Sequence, residues 1–192
     1  MPRALRRSAL IAAVLVGALG VADRGHADFS LLPDPNKNVL VAAQDNNLDR
    51  VNNLLATGSD VDVTDSSNRT PLIYVAGSGN TAIAKVLIEH GARLNAVDKT
   101  GNAAIHYAAG GGNIDIVRLL LDAKVPIDQP NKDGATALML AAAKGKSAVV
   151  KLLLDRGADL RKNDYTGRSA LSWAQDGHQA QIALMLRKAG AN

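Results

Sequence analysis

Six residues, Gly77-Ser78-Gly79-Asn80-Thr81-Ala82, have the Gly-x-Gly-x-x-Ala spacing of a turn that seats a dinucleotide pyrophosphate. Such a turn works between a strand and a helix, where the backbone can approach the phosphates. Here a short helix precedes it, and 33 residues on the same place holds Gly110-Gly111-Gly112. The run is therefore read as a turn between paired helices. Asp60, Asp62 and Asp65 alternate carboxylates in the manner of a calcium loop, but the glycine and closing Glu of such a loop are missing. The position of Asp60 becomes Arg93, Pro126 and Asp159 at steps of 33, so the ligand set does not recur. No pair of the four histidines (His26, His90, His106, His178) has the i, i+4 spacing of a helical zinc site. The absence of cysteine excludes disulfides, thiolate metal sites and a thiol nucleophile. Ser172 and Asp176 share a helix face, but no base joins them. The sequence thus names no catalytic residue, no metal ligand and no cofactor.

Tyr74, Tyr107 and Trp173 share one position of the same 33-residue step, with Leu140 between them. A row of rings of this kind is read as packing between neighbouring units, partly exposed at one edge. The elements that place these residues follow from the step itself. Thr70-Pro71-Leu72-Ile73 becomes Ala103-Ala104-Ile105-His106, then Thr136-Ala137-Leu138-Met139, then Ser169-Ala170-Leu171-Ser172, with Lys37-Asn38-Val39-Leu40 as a degraded first copy. Gly58, Gly91, Lys124, Gly157 and Gly190 align, as do Asn68, Gly101, Gly134 and Gly167. Internal periodicity of this length marks a repeat architecture.

In each unit a Thr or Ser caps a short helix, and the proline at Pro71 sits in the first turn, where a missing N–H is harmless. A glycine turn leads to a second helix whose Val149, Val150, Leu152 and Leu153 form one apolar face. Gly157 ends it, and 159–167 reads as an extended arm that turns over at Asp164-Tyr165-Thr166-Gly167. Helices this short are unstable alone, so stability must come from stacking, and the molecule is expected to be a solenoid. Asp98-Lys99-Thr100-Gly101-Asn102-Ala103-Ala104-Ile105-His106-Tyr107-Ala108-Ala109 with Leu119-Leu120-Leu121 resembles the ankyrin repeat. The resemblance covers about 37–192. It implies an all-α fold of five stacked helix–turn–helix units (about 37–69, 70–102, 103–135, 136–168 and 169–192) with β-hairpin fingers. It also implies that His106 ties its helix to the adjacent hairpin backbone. Asn46, Asn47, Asn52 and Asn53 suit a solvated N-terminal cap, and Gln179, Gln181, Arg187 and Lys188 a C-terminal one. Gly177 falls one place early in the last copy. Lys124-Val125-Pro126 replaces the usual Gly-Ala-Asp, so the third finger is expected at a different angle.

The first 27 residues read as a secretory signal peptide: Arg3, Arg6 and Arg7, then an apolar run from Ala9 to Ala22, then small residues before a cut after Ala27 or Ala22. The run is short for a permanent span. An uncleaved anchor and a twin-arginine route through Arg6-Arg7 are the alternatives. Residues 28–36 form an N-terminal extension. The formal charge is +4, but Arg3, Arg6, Arg7, Arg24 and Asp23 belong to the leader, and the rest holds 18 basic and 17 acidic residues. A near-neutral body gives no electrostatic reason to bind nucleic acid. A monomeric, periplasmic or secreted protein with no membrane span after cleavage is expected.

Binding then falls to the variable positions, the finger tips and the ends of the first helices. The candidate partner-binding residues are Arg69, Lys99, Asn102, Lys132, Asp133, Tyr165 and Arg168, because Tyr and Arg most often anchor protein interfaces. Ser78, Gly111, Lys144 and Asp176 mark the helix ends. The function expected is non-catalytic recognition of another protein in the bacterial cell envelope. A stress or scaffold factor that stabilises a partner enzyme is the alternative, and an enzyme the remote third.

Overall fold

Thr70, Thr136 and Ser169 stand in extended backbone, and the hydroxyl of each accepts an N–H from three residues on: Ile73 at 3.3 Å, Met139 at 3.5 Å and Ser172 at 3.4 Å. Each bond satisfies a donor that a helix start leaves unpaired, so each position opens a helix. Ala103 has no oxygen to offer; its own N–H donates to Nδ1 of His106 at 3.1 Å. The computed structural model describes residues 38–191, and the expected leader and extension (1–36) lie outside them. The described residues contain ten helices: α1 Asn38–Gln44, α2 Leu48–Ala56, α3 Pro71–Ser78, α4 Thr81–Glu89, α5 Ala104–Gly111, α6 Ile114–Asp122, α7 Ala137–Ala143, α8 Ser147–Asp155, α9 Ala170–Asp176 and α10 Ala180–Lys188.

The odd-numbered helices pack on one another in an inner row and the even-numbered ones lie behind them, so five helix pairs stack along one axis. Ala42, Ala43, Ala76, Ala108, Ala109, Ala141, Ala142 and Ala174 are buried in the inner row. Small side chains let that row pack more closely than the outer one. Leu72, Ile105 and Leu138 and, in the outer row, Leu87, Leu120, Leu153 and Leu186 form one continuous core. Burying each is worth about 1.5–3 kcal/mol. The ends are finished by substitution. Arg50 is exposed where its counterparts Ile83, Ile116, Val149 and Ile182 are buried, and Gln175 is exposed where Ala76, Ala109 and Ala142 are buried.

All fourteen described residues with left-handed backbone fall in three positions of the 33-step: 46, 79, 112, 145, 178; 58, 91, 124, 157, 190; and 68, 101, 134, 167. The backbone therefore repeats where the residue type does not. Lys124 adopts φ 66° where Gly91 and Gly157 adopt 82° and 85°. Its turn keeps the same bonds, Lys124 N–H to Leu121 O at 3.0 Å and Val125 N–H to Leu120 O at 3.1 Å, matching Gly91 and Ala92. The expectation of a differently angled third finger finds no support at this turn. His178, not Gly177, takes the left-handed place in the last pair. Gly177 is needed for room, since a Cβ there would lie 2.4 Å from the Ala143 carbonyl oxygen.

The fingers are slighter than hairpins. Among the described residues the only bridges are Val97 with Ala103 and Asn163 with Ser169, each isolated. The arms are too short for a ladder, and side chains do the work that a ladder would do.

Candidate functional site

Each finger is built around one side chain. Asp65, Asp98, Asn131 and Asp164 recur at steps of 33, and Oδ1 of each accepts two backbone N–H groups across the turn. Asp65 takes Ser67 at 2.8 Å and Arg69 at 2.9 Å, and Asp98 takes Thr100 at 2.8 Å and Asn102 at 2.9 Å. Asn131 takes Asp133 and Ala135, and Asp164 takes Thr166 and Arg168, all at 2.9 Å. Short side chains of this kind replace backbone pairing in turns. Neighbouring fingers are then stitched edge to edge by one backbone bond each: Lys99 N–H to Ser67 O at 2.9 Å, Lys132 N–H to Thr100 O at 3.2 Å, and Tyr165 N–H to Asp133 O at 3.0 Å.

The second oxygen, Oδ2, ties the finger to the inner helix that follows. Tyr107 OH donates to Asp98 at 2.6 Å, and Trp173 Nε1 donates to Asp164 at 2.8 Å. In the first finger Arg69 takes that part, through Nε at 2.9 Å and its terminal nitrogen at 2.8 Å, with its guanidinium 5.9 Å from the Tyr74 ring centre. In the third finger position 140 is Leu, which has no donor, and position 131 is the neutral Asn, whose amide donates to Asn102 Oδ1 at 2.9 Å. A carboxylate without donors is costly to bury, and the chain keeps the acid only where a donor answers it. Burial alone would raise the Asp164 carboxyl. Bonds from Thr166, Arg168 and Trp173 outweigh burial and hold it far below the usual carboxylate range. The Asp98 carboxyl is lowered in the same way, by Tyr107, Thr100 and Asn102 against burial.

These contacts sort the expected partner-binding residues. Tyr165 is 74% exposed at the last tip, its ring lying over the backbone of Gly134. Lys99, Lys132 and Asp133 are exposed beside it in the tip row, and Lys132 Nζ donates to the Lys99 carbonyl at 2.8 Å. Asn102 is half-buried, with Oδ1 accepting from Asn131 and Nδ2 donating to Thr100. Arg168 bonds to Asp164 at 3.0–3.1 Å, lies 4.8 Å from the centre of the Trp173 ring and reaches Asp176 at 3.5 Å. Arg69 and Arg168 are thus engaged inside the fingers by carboxylates, whereas Lys99 and Tyr165 are exposed, and the exposed Lys132 ammonium bonds only to the Lys99 carbonyl of the neighbouring finger. Between the tip row and the inner helices run two grooves of about 320 Å³ each, which share Gly77 and Tyr107. One includes Arg69 and Tyr74; the other includes Gly110, Leu140 and Lys144. The aromatic row is therefore only half-buried and floors this surface. It is core on one edge and groove wall on the other.

A family model described as ankyrin repeats (3 copies) matches residues 39–131 and 123–192, which spans the described chain. The chain belongs to the ankyrin-repeat family. Ankyrin repeats are in general modules of protein–protein interaction, and the family is typically non-catalytic. No curated protein matches the chain.

Within this ankyrin stack the other residues singled out by type have local duties. His106 is buried and accepts from Ala103 at Nδ1, which leaves Nε2–H to donate to the Gln129 carbonyl at 2.9 Å. It joins α5 to the next arm, as the resemblance implied, and burial depresses its pKa despite the bonds that favour the charged form. Asp60 accepts the Asp62 N–H, Asp62 accepts from Arg93, and Asp65 belongs to its finger. Reading residues by type missed the clamps from Tyr107 to Asp98 and from Trp173 to Asp164. Their signal was present as a spacing of nine that pairs acid with ring donor and Asn131 with Leu140.

Proposed function

We propose that this ankyrin-repeat protein is a non-catalytic binding module of the bacterial cell envelope that holds another protein along its finger tips and inner helix surface. The observation that carries the reading is the construction of the tip row. One Asp or Asn side chain fixes each finger from within, buried at Asp98, Asn131 and Asp164 and part-buried at Asp65, and the exposed groups, Tyr165, Lys132, Lys99 and Asp133, are held in line at small entropic cost on binding. Four fingers and the adjoining grooves can supply the ~800 Å² that a standard interface buries on each partner. Export rests on the basic, apolar and small-residue order of residues 1–27, with the mature protein monomeric and outside the cytoplasm. No helix among the described residues is long and apolar enough to cross a membrane.

The test is co-purification from envelope fractions, with the mature N-terminus sequenced on the same material. Replacing Tyr165, Lys132 and Lys99 together by Ala is expected to remove a stoichiometric protein partner while the thermal midpoint stays put. Arg168 is left out of that set because its loss would also release Asp164. A midpoint that falls with the partner would make the tips packing residues. An intact Met1 in the cytoplasm would refute export, and many weak partners would favour the stress-factor alternative.

A further inference from the structure

The row of rings breaks at Leu140, and three features meet at the break. The groove there, about 320 Å³, lies between the Tyr107 ring and Leu140, with Gly110 and Gly111 along its floor and Lys144 and Asn102 beside it. An aromatic ring needs less than this; a cavity of ~150 Å³ accepts benzene. Much of the floor is bare backbone: a Cβ on Gly110 would meet nothing nearer than Leu140 Cβ at 3.9 Å, and one on Gly77 nothing nearer than the Tyr107 ring at 3.6 Å, while at Gly111 the Asn113 amide closes one side, 2.8 Å from where a Cβ would stand.

Charge is the second feature. Arg69 and Arg168 are neutralised by Asp65 and Asp164, but no ion pair to Lys99, Lys132 or Lys144 occurs among the described residues. All three lysines are exposed, against one unpaired acid in the tip row, Asp133. The third feature is internal. Tyr107 and Trp173 spend their polar ends on the carboxylate of a finger, whereas at the break the carboxylate has gone together with the ring, leaving Asn131 opposite Leu140. The fold has compensated for the missing ring from within, and no aromatic ring among the described residues takes its place.

We infer that this notch receives an aromatic side chain of the protein partner, flanked by acidic residues whose carboxylates face Lys144 and the finger lysines Lys99 and Lys132. The ring completes the row between Tyr107 and Leu140, and the lysines supply the complementary charge that fixes its direction. The inference rests on the proposed binding role and names the chemistry of the partner at one point of that surface.

The probe is the capped peptide acetyl-Glu-Asp-Trp-Asp-Glu-amide titrated into the isotope-labelled full chain, with the same peptide carrying Ala for Trp, and acetyl-Lys-Lys-Trp-Lys-Lys-amide, as controls. The acidic tryptophan peptide is expected to shift the Gly110 and Gly111 amide and Leu140 methyl resonances, and both controls to bind at least several-fold more weakly. Lys144→Glu should weaken the acidic peptide roughly five-fold. Leu140→Trp, which refills the notch from within, should abolish binding. If that variant fails to fold, Lys144→Glu alone decides, because Lys144 is exposed at a helix end. Shifts confined to another surface, indifference to Lys144→Glu, or equal binding of the cationic peptide would overturn the inference. So would tighter binding of an oligothymidylate of about eight nucleotides at the same resonances, which would make the notch a nucleic-acid seat. A partner captured through Tyr165 by a protein in which the peptide fails would sink this inference and leave the binding role standing; no partner at all would sink the role itself.

Discussion

At Asp98 and Asp164 a buried carboxylate survives because a ring donor nine residues away answers it, at 2.6 Å from Tyr107 and 2.8 Å from Trp173. Removing the donor alone leaves a buried oxygen unpaired. Tyr107→Phe is therefore expected to cost about 1–3 kcal/mol in urea denaturation. Adding Asp98→Asn, which copies the neutral third finger, should recover at least half of that loss; a further loss would show that the clamp is incidental. Titration follows from the same residues. His106 is buried with its pKa depressed, so below about 6.5 the unfolded chain binds a proton that the folded chain refuses. Stability should fall as pH drops from 7 toward 5, and His106→Asn should flatten that slope. The finger carboxylates have lowered pKa values, so their contribution is complete above about 4 and is lost as pH falls further through the folded values. Two separate acid steps in midpoint against pH would show both groups.

At the scale of the element, glycine serves in two ways that denaturation can tell apart. Gly157 has φ 85° with no heavy atom within 4 Å of a built Cβ, whereas Gly134, at φ 80°, would bring a Cβ to 2.7 Å from the Tyr165 backbone nitrogen. Gly157→Ala should cost about 1 kcal/mol for conformation alone. Gly134→Ala should cost clearly more, because the next finger must move; equal costs would mean that the fingers are not stitched as described. The helix pairs themselves were legible in the residues: capping Thr and Ser, turn glycines at steps of 33 and one apolar face per helix are local signals, and α7 and α8 stand where they indicated. The fingers were less so. The resemblance implied hairpins, but the Asp and Asn side chains satisfy the N–H groups that a ladder would have used. Arg69 and Arg168 looked like interface anchors by type, and only the geometry of the turn shows each folded back onto an acid four residues earlier. The left-handed turn at Lys124 was hidden for a related reason, since the surrounding bonds impose it and the residue does not favour it.

For the whole molecule, stacking five helix pairs turns four weak turns into one ordered strip. No short helix here is stable alone, so the inner row, the outer row and the fingers stand or fall with their neighbours, and variation is safest at tips that face outward. The lysines and Tyr165 lie on that side, while the rear of the stack offers exposed residues such as Lys151 on α8. Site-specific photo-crosslinking in the producing cells, from probes placed one at a time at positions 99, 132, 165 and 151, tests most directly whether work is done by this strip. One protein species crosslinked from 99, 132 and 165 and absent from 151 is the expected result. Equal capture from 151, or no protein captured from any tip, would contradict it.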